Sequence, residues 1–189
     1  MGHTKRLRFA GILGAGLLVL AGEGVAMAQN GVSAGISLSN TIFQQTVGSI
    51  NAEEMQLFVD TESMANGDIP VTRLRMKEAT ITDLCMEAPV SLPGLGEKKF
   101  VMKVDGPNTQ ATNLVIGTTS LDGTMTLKNP QIGVDASTMS NRAQPGAFGI
   151  QAAGLDAGTQ RIKASSITAD VLTAAGSKLR VVGGNEGGC

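Results

Sequence analysis

The chain has 189 residues, a formal net charge of −1, 42% hydrophobic residues and only 3% aromatic ones. That length describes one domain with a real core, and the near-neutral charge excludes the cationic footprint of a nucleic-acid or anionic-lipid binder. There is no Trp or Tyr and a single His, so chemistry that depends on histidine bases or sugar-stacking aromatics has little material.

The first 28 residues read as a signal peptide. Lys5, Arg6 and Arg8 precede the apolar run "FAGILGAGLLVLAG" (9–22), and "AMA" (26–28) supplies a small-x-small cleavage site. The run is short for a bilayer span. Cleavage after Ala28 leaves 161 residues starting at Gln29, with a charge of about −3, and localisation is expected to be secreted, extracellular or associated with the cell envelope. No lipobox cysteine stands near the cut, and no later run reaches membrane-spanning length.

"GVSAG" (31–35) has the spacing of a nucleophile elbow around Ser33. An elbow needs a strand before the serine, a helix after it and a base. None is offered: the motif follows the cleavage site directly, "ISLSN" succeeds it, and the only histidine is His3 in the leader. Residues 29–50 read as an N-terminal arm and first strand, and residues 51–182 as the β domain. "NAEEMQLF" (51–58) could form a helix, but Met55, Leu57 and Val59 alternate with Gln56, Phe58 and Asp60, which favours a strand.

"TESMANGDIP" (61–70) reads as a polar loop. In "VTRLRMKEATITDL" (71–84), Leu74 and Met76 take one face and Arg73, Arg75 and Lys77 the other. "KFVMKVDGP" (99–107) sets Phe100, Met102 and Val104 against Lys99, Val101 and Lys103. "ATNLVIGTTSLDGTMTLKNPQIGVDA" (111–136) holds two or three strands, with Met125 and Leu127 alternating with Thr124, Thr126 and Lys128. "STMSNRAQPGAFG" (137–149) lacks alternation, which predicts a mobile loop or the rim of a binding surface. "TQRIKASSITADVLTAAGSKLRVV" (159–182) closes the strand set, and "GGNEGGC" (183–189) is a glycine-rich tail. Period-two patterning with turn residues every 8–12 positions predicts an all-β fold: a single domain of antiparallel strands, sandwich-like or an elongated sheet. The aromatic-poor core favours a thin sheet assembly over a compact barrel.

Two cysteines, Cys85 and Cys189, make an even pair that in an exported protein reads as a disulfide; a free thiol and an intermolecular bridge are the rival readings. The bridge would tie the C-terminus to the domain. Metal chemistry is poorly supplied. Asp60, Glu62 and Asp68 lack the ordered spacing of a calcium loop and read as a solvated acidic loop. No phosphate loop occurs, and no cofactor, metal or catalytic residue is expected.

The segments "IPVTRLRMKEATITDLCMEAPV", "TNLVIGTTSLDGTMTLKNPQIGVDAS" and "PGAFGIQAAGLDAG" together resemble an uncharacterised family of small secreted actinobacterial proteins with an "LC" strand cysteine and a cysteine at the C-terminus. The resemblance covers roughly residues 55–189. Cys85 and Cys189 fall on the family's two cysteine positions, which supports the disulfide. It implies a role at the cell envelope beside a small multi-pass membrane protein. Some members carry the label cholesterol esterase, but the family brings no catalytic residue onto this chain.

The expected function is therefore that of a non-catalytic secreted or envelope β protein that binds a partner protein or lipid, or is structural, and does not bind nucleic acid. The lipid variant draws on Met55, Met64, Met76, Met86, Met102, Met125 and Met139, since methionine makes adaptable apolar linings; the plainer reading is that Met replaces aromatics as core filler. The alternative is a lipid or sterol ester hydrolase with an unorthodox site of the Ser-Lys or carboxylate type.

Overall fold

The computed structural model describes residues 35–36, 41–92, 96–141 and 143–189. The leader reading, Ser33 and His3 lie outside the described residues. Among the described residues eleven strands appear in chain order. The pair β1 (Gly35–Ile36) and the short β2 (Phe43–Val47) precede β3 (Ser49–Met64), β4 (Gly67–Thr82) and β5 (Leu84–Leu92). Then come β6 (Gly96–Val104), β7 (Thr109–Lys128) and β8 (Gln131–Asp135), and after a 3-10 turn at Ala136–Thr138 the last three, β9 (Phe148–Thr168), β10 (Val171–Ala174) and β11 (Lys178–Gly183). No helix among the described residues is long and apolar enough to cross a membrane.

All pairings are antiparallel, in the order β10-β7-β4-β3-β9-β2-β5-β6-β11. β7 also pairs with β9, from Val115↔Thr168 to Lys128↔Gly154, which closes β7, β4, β3 and β9 into a small barrel. The fold is thus an all-β domain in which part of an elongated sheet curls shut. The core is mostly Val, Ile, Leu, Met and Ala, with Phe43 as the aromatic side chain buried in it.

Several strands are halves of longer runs. Thr46↔Cys85 and Ser49↔Thr82 keep one register across the breaks at Gly48 and Asp83. The corner is built by hydrogen bonds: the Gly48 amide donates to the Thr82 carbonyl at 2.8 Å, and the Gly106 amide to Asp83 Oδ1 at 2.7 Å. Asp83 is left-handed there, with φ 52°, a conformation that Asp tolerates better than most residues. The bend lays β2, β5 and β6 over β4, β7 and β10, so Phe43, Leu84 and Met86 share one core with Leu114, Ile116 and Leu172.

A second bend crosses the barrel wall. Glu54, Asn113 and Asn129 have φ of 48°, 49° and 51°, and the flanking pairs set them in one row across neighbouring strands. Each strand changes its inward-facing parity at this row: Ile50 and Ala52 give way to Met55, and Ala111 to Leu114 and Ile116.

Leu74 and Met76 are buried as the alternation predicts. Arg73, expected in solvent with Arg75 and Lys77, is instead only 9% exposed. The 61–70 segment is not a loop: β3 and β4 run through it and leave Ala65 and Asn66 as the turn. Pro70 is accommodated because the pairing of β4 with β7 stops at Thr72, so β4 is an edge beyond that point. At the 137–149 segment, Ala136, Met139 and Ala143 are buried on Phe58.

Candidate functional site

Three features of the molecule could do more than hold it together. The first is a polar cluster beside the barrel. Arg73 Nε lies 3.1 Å from Asp60 Oδ2, and its Nη1 lies 3.3 Å from Glu62 Oε2. Nη1 also donates to Ser166 Oγ at 2.8 Å. Ser165 Oγ and Ser166 Oγ donate to the same Glu62 oxygen, at 2.5 and 3.1 Å. Gly117 makes room for the group: a Cβ there would sit 2.5 Å from Arg73 Nη1 and 2.6 Å from Ser166 Oγ. The cluster pins the β3–β4 hairpin onto β7 and β9. It also corrects the solvated-loop reading of Asp60 and Glu62, whose side chains are only 10% and 18% exposed. Asp68 stands apart and accepts from Ser63 Oγ at 2.7 Å. Among the described residues no group of three or more His, Cys, Asp or Glu side chains is placed to hold a metal ion.

The second feature is an apolar cavity of about 30 Å³ where the two halves of the sheet face each other. Phe43, Leu84, Met86, Met102, Leu114 and Ile116 form much of its wall. Two polar side chains, Gln45 and Thr109, join them, only 3% and 0% exposed. Gln45 Oε1 and Thr109 Oγ1 have no hydrogen-bond partner, a costly state for buried polar atoms. The sequence held a signal for Gln45, since "FQQTV" places it on the same face as Phe43 and Val47; nothing singled out Thr109 among the abundant threonines. The wall also bears on the methionines. Met55 and Met76 are buried core filler, Met139 is buried beside Phe58 and Met125 is exposed, while Met86 and Met102 line the cavity.

The third feature is the pair of sheet edges, β10 at one end of the strand order and β11 at the other. Among the described residues β10 pairs only with β7 and β11 only with β6. Val171 is exposed on β10, and Leu179 and Val181 are exposed on β11 at 61% and 58%. Arg180 and Lys178 point to the opposite face, and Lys178 holds the Asp105 carboxyl below its usual range by hydrogen bonding and charge. Beyond β11 the tail crosses to β5. The Gly184 amide donates to the Glu97 carbonyl, the Cys189 amide to Glu87 Oε2, and Cys85 and Cys189 form a disulfide with their Cα atoms 5.6 Å apart. The tail covers Val101, which is fully buried on the face that alternation assigned to lysines. A second exposed apolar group, Val59, Ile132 and Phe148, borders the 137–149 segment.

The model of a family of unknown function, DUF6230, matches residues 39–189, from just before β2 to the terminal cysteine. The chain belongs to DUF6230. The match takes in both cysteines, the polar cluster, the cavity and the free edge, so every candidate feature of this DUF6230 chain lies within the family region. No curated protein and no solved structure matches the chain.

Proposed function

We propose that this chain is an exported, non-catalytic binding protein of the cell exterior or envelope, and that its recognition surface is the free edge of β11. The observation that carries the reading is the coincidence on one edge of unpaired backbone with exposed Leu179 and Val181. Such an edge takes an added strand from another polypeptide, with backbone hydrogen bonds supplying affinity and alternate side chains supplying selectivity. Export is supported by the basic, apolar and small-residue order of residues 5–28. The non-catalytic reading is supported by the polar cluster: Ser165 and Ser166 both donate to Glu62, which Arg73 holds, and among the described residues no histidine or lysine is hydrogen-bonded to either serine. The resemblance to envelope proteins makes a small multi-pass membrane protein the first partner to try.

The test is native mass spectrometry of the protein recovered from its host's secreted and envelope fractions. The expected spectrum shows a chain starting at Gln29, two hydrogens lighter for the disulfide, and a bound polypeptide that is lost on Val181→Lys. A partner-free protein in both fractions would overturn the binding reading. Labelling of the native but not the denatured protein by a fluorophosphonate would overturn the non-catalytic one.

A further inference from the structure

We propose that the cavity behind β6 and β10 binds the hydroxyl end of a long-chain aliphatic alcohol or hydroxylated lipid, independently of any strand added at the edge. The polar atoms fix the head group. Gln45 Oε1 can only accept, whereas Thr109 Oγ1 can accept or donate, and both are buried without a partner in a wall that is otherwise apolar. One hydroxyl that donates to Gln45 and accepts from Thr109 satisfies both. A carboxylate would meet the Gln45 oxygen with its own negative charge and would be desolvated without a cation, because the wall carries no Lys or Arg.

The volume agrees with a head group rather than a whole lipid. About 30 Å³ holds one or two water-sized groups, so the tail must leave. The least buried parts of the wall are Met102 on β6 and Leu172 on β10, each only partly covered, and they mark the exit. Directly beyond it, Leu179 pairs with Met102 and Val181 with Phe100 on the inward-facing side of β11. These two exposed residues continue the cavity's apolar wall outward and give an alkyl tail a surface to lie on. Met86 and Met102 flank the head-group space, and their unbranched side chains can adjust to it.

The experiment uses the disulfide-bonded protein with 13C-methyl-labelled methionine, titrated with 1-decanol and, separately, with 1-methoxynonane, an ether of similar length that accepts but cannot donate. The expected result is a saturable shift of the Met86 and Met102 methyl signals with the alcohol, and binding roughly tenfold weaker for the ether. Met64, Met125 and Met139 stay unshifted. Gln45→Leu should weaken the alcohol by a similar factor and abolish its advantage over the ether, whereas Thr109→Val should weaken alcohol and ether alike and leave that advantage in place. No saturable shift, as for a cavity that holds only water, would overturn the proposal. Equal affinity for alcohol and ether would overturn it too, and that comparison needs no variant to fold. Failure here leaves the edge reading standing, because the two are read by different measurements.

Discussion

Gly117 has no side chain because Arg73 occupies the space where one would be. Its added Cβ would meet Arg73 Nη1 at 2.5 Å, Ser166 Oγ at 2.6 Å and Glu62 Oε2 at 2.9 Å. Those atoms bond one another, so none can yield without loosening the others. Gly117→Ala is therefore expected to cost about 2–3 kcal/mol, read as a lowered urea midpoint. Gly158→Ala is the matched control: its Cβ would have only Thr124 Cβ at 3.9 Å, and it should stay within about 0.5 kcal/mol of the parent. A second prediction concerns pH. Asp105 is lowered by Lys178, Asp135 by the Ser137 amide, and Asp156 by Lys128. A carboxylate depressed in the folded state adds stability above its unfolded value, and that stability is lost as pH falls through the folded one. Thermal stability should thus decline as pH drops below about 4. Salt should weaken the Asp105 and Asp156 contributions more than that of Asp135, whose partner is a backbone amide. Lys77 works the other way: its value is raised by Glu54, so its small contribution disappears only in strong alkali. A melting temperature that does not change between pH 6 and pH 3 would contradict the carboxylate assignment.

Alternation made the strands legible, and at the level of faces it placed Leu74, Met76 and Val104 inward correctly. It could not reveal that β3, β4, β7 and β9 bend together. Pattern reading assumes one parity per strand, whereas Glu54, Asn113 and Asn129 each reset it with a left-handed backbone. Two asparagines are a weak hint of such positions; the glutamate gives none, and it is the cross-strand ion pair with Lys77 that accompanies it. The burial of Arg73 was hidden for a different reason. Its partners Asp60 and Glu62 sit on a neighbouring strand and Ser166 lies 93 residues away, so only the barrel brings them together. The corner at Gly48 and Asp83 yields the prediction at this scale. Asp83→Ala removes the acceptor for the Gly106 amide and places a poorly suited residue at φ 52°. The expected loss is about 2 kcal/mol. Asp83→Asn keeps both the left-handed tolerance and the acceptor and should recover most of it. If the two variants have the same denaturation midpoint, the corner does not depend on that side chain.

At the scale of the whole molecule the glycine-rich tail gains its order from one covalent bond. Cys85 and Cys189 are 104 residues apart, so the bridge closes β5 to β11 into a loop and leaves β1 to β4 outside it. In the chain-entropy account a loop of that length is worth about 4–5 kcal/mol, gained by restricting the unfolded chain. The folded-state contacts of the tail are slight by comparison: two amide hydrogen bonds, to Glu97 and Glu87, and the cover over Val101. Breaking the bridge should therefore have two separable effects. Global stability of Cys189→Ser should fall by several kcal/mol in urea, with the barrel still folding because its core contains neither cysteine. Locally, amide exchange should rise first at 183–189 and along β6, where Val101 loses its cover, while β3, β4 and β9 exchange only with global unfolding. If instead exchange rises uniformly, the tail is coupled to the barrel rather than laid upon it. If stability does not change at all, the unfolded chain is already as compact without the bridge as with it, and the entropic account fails for this protein.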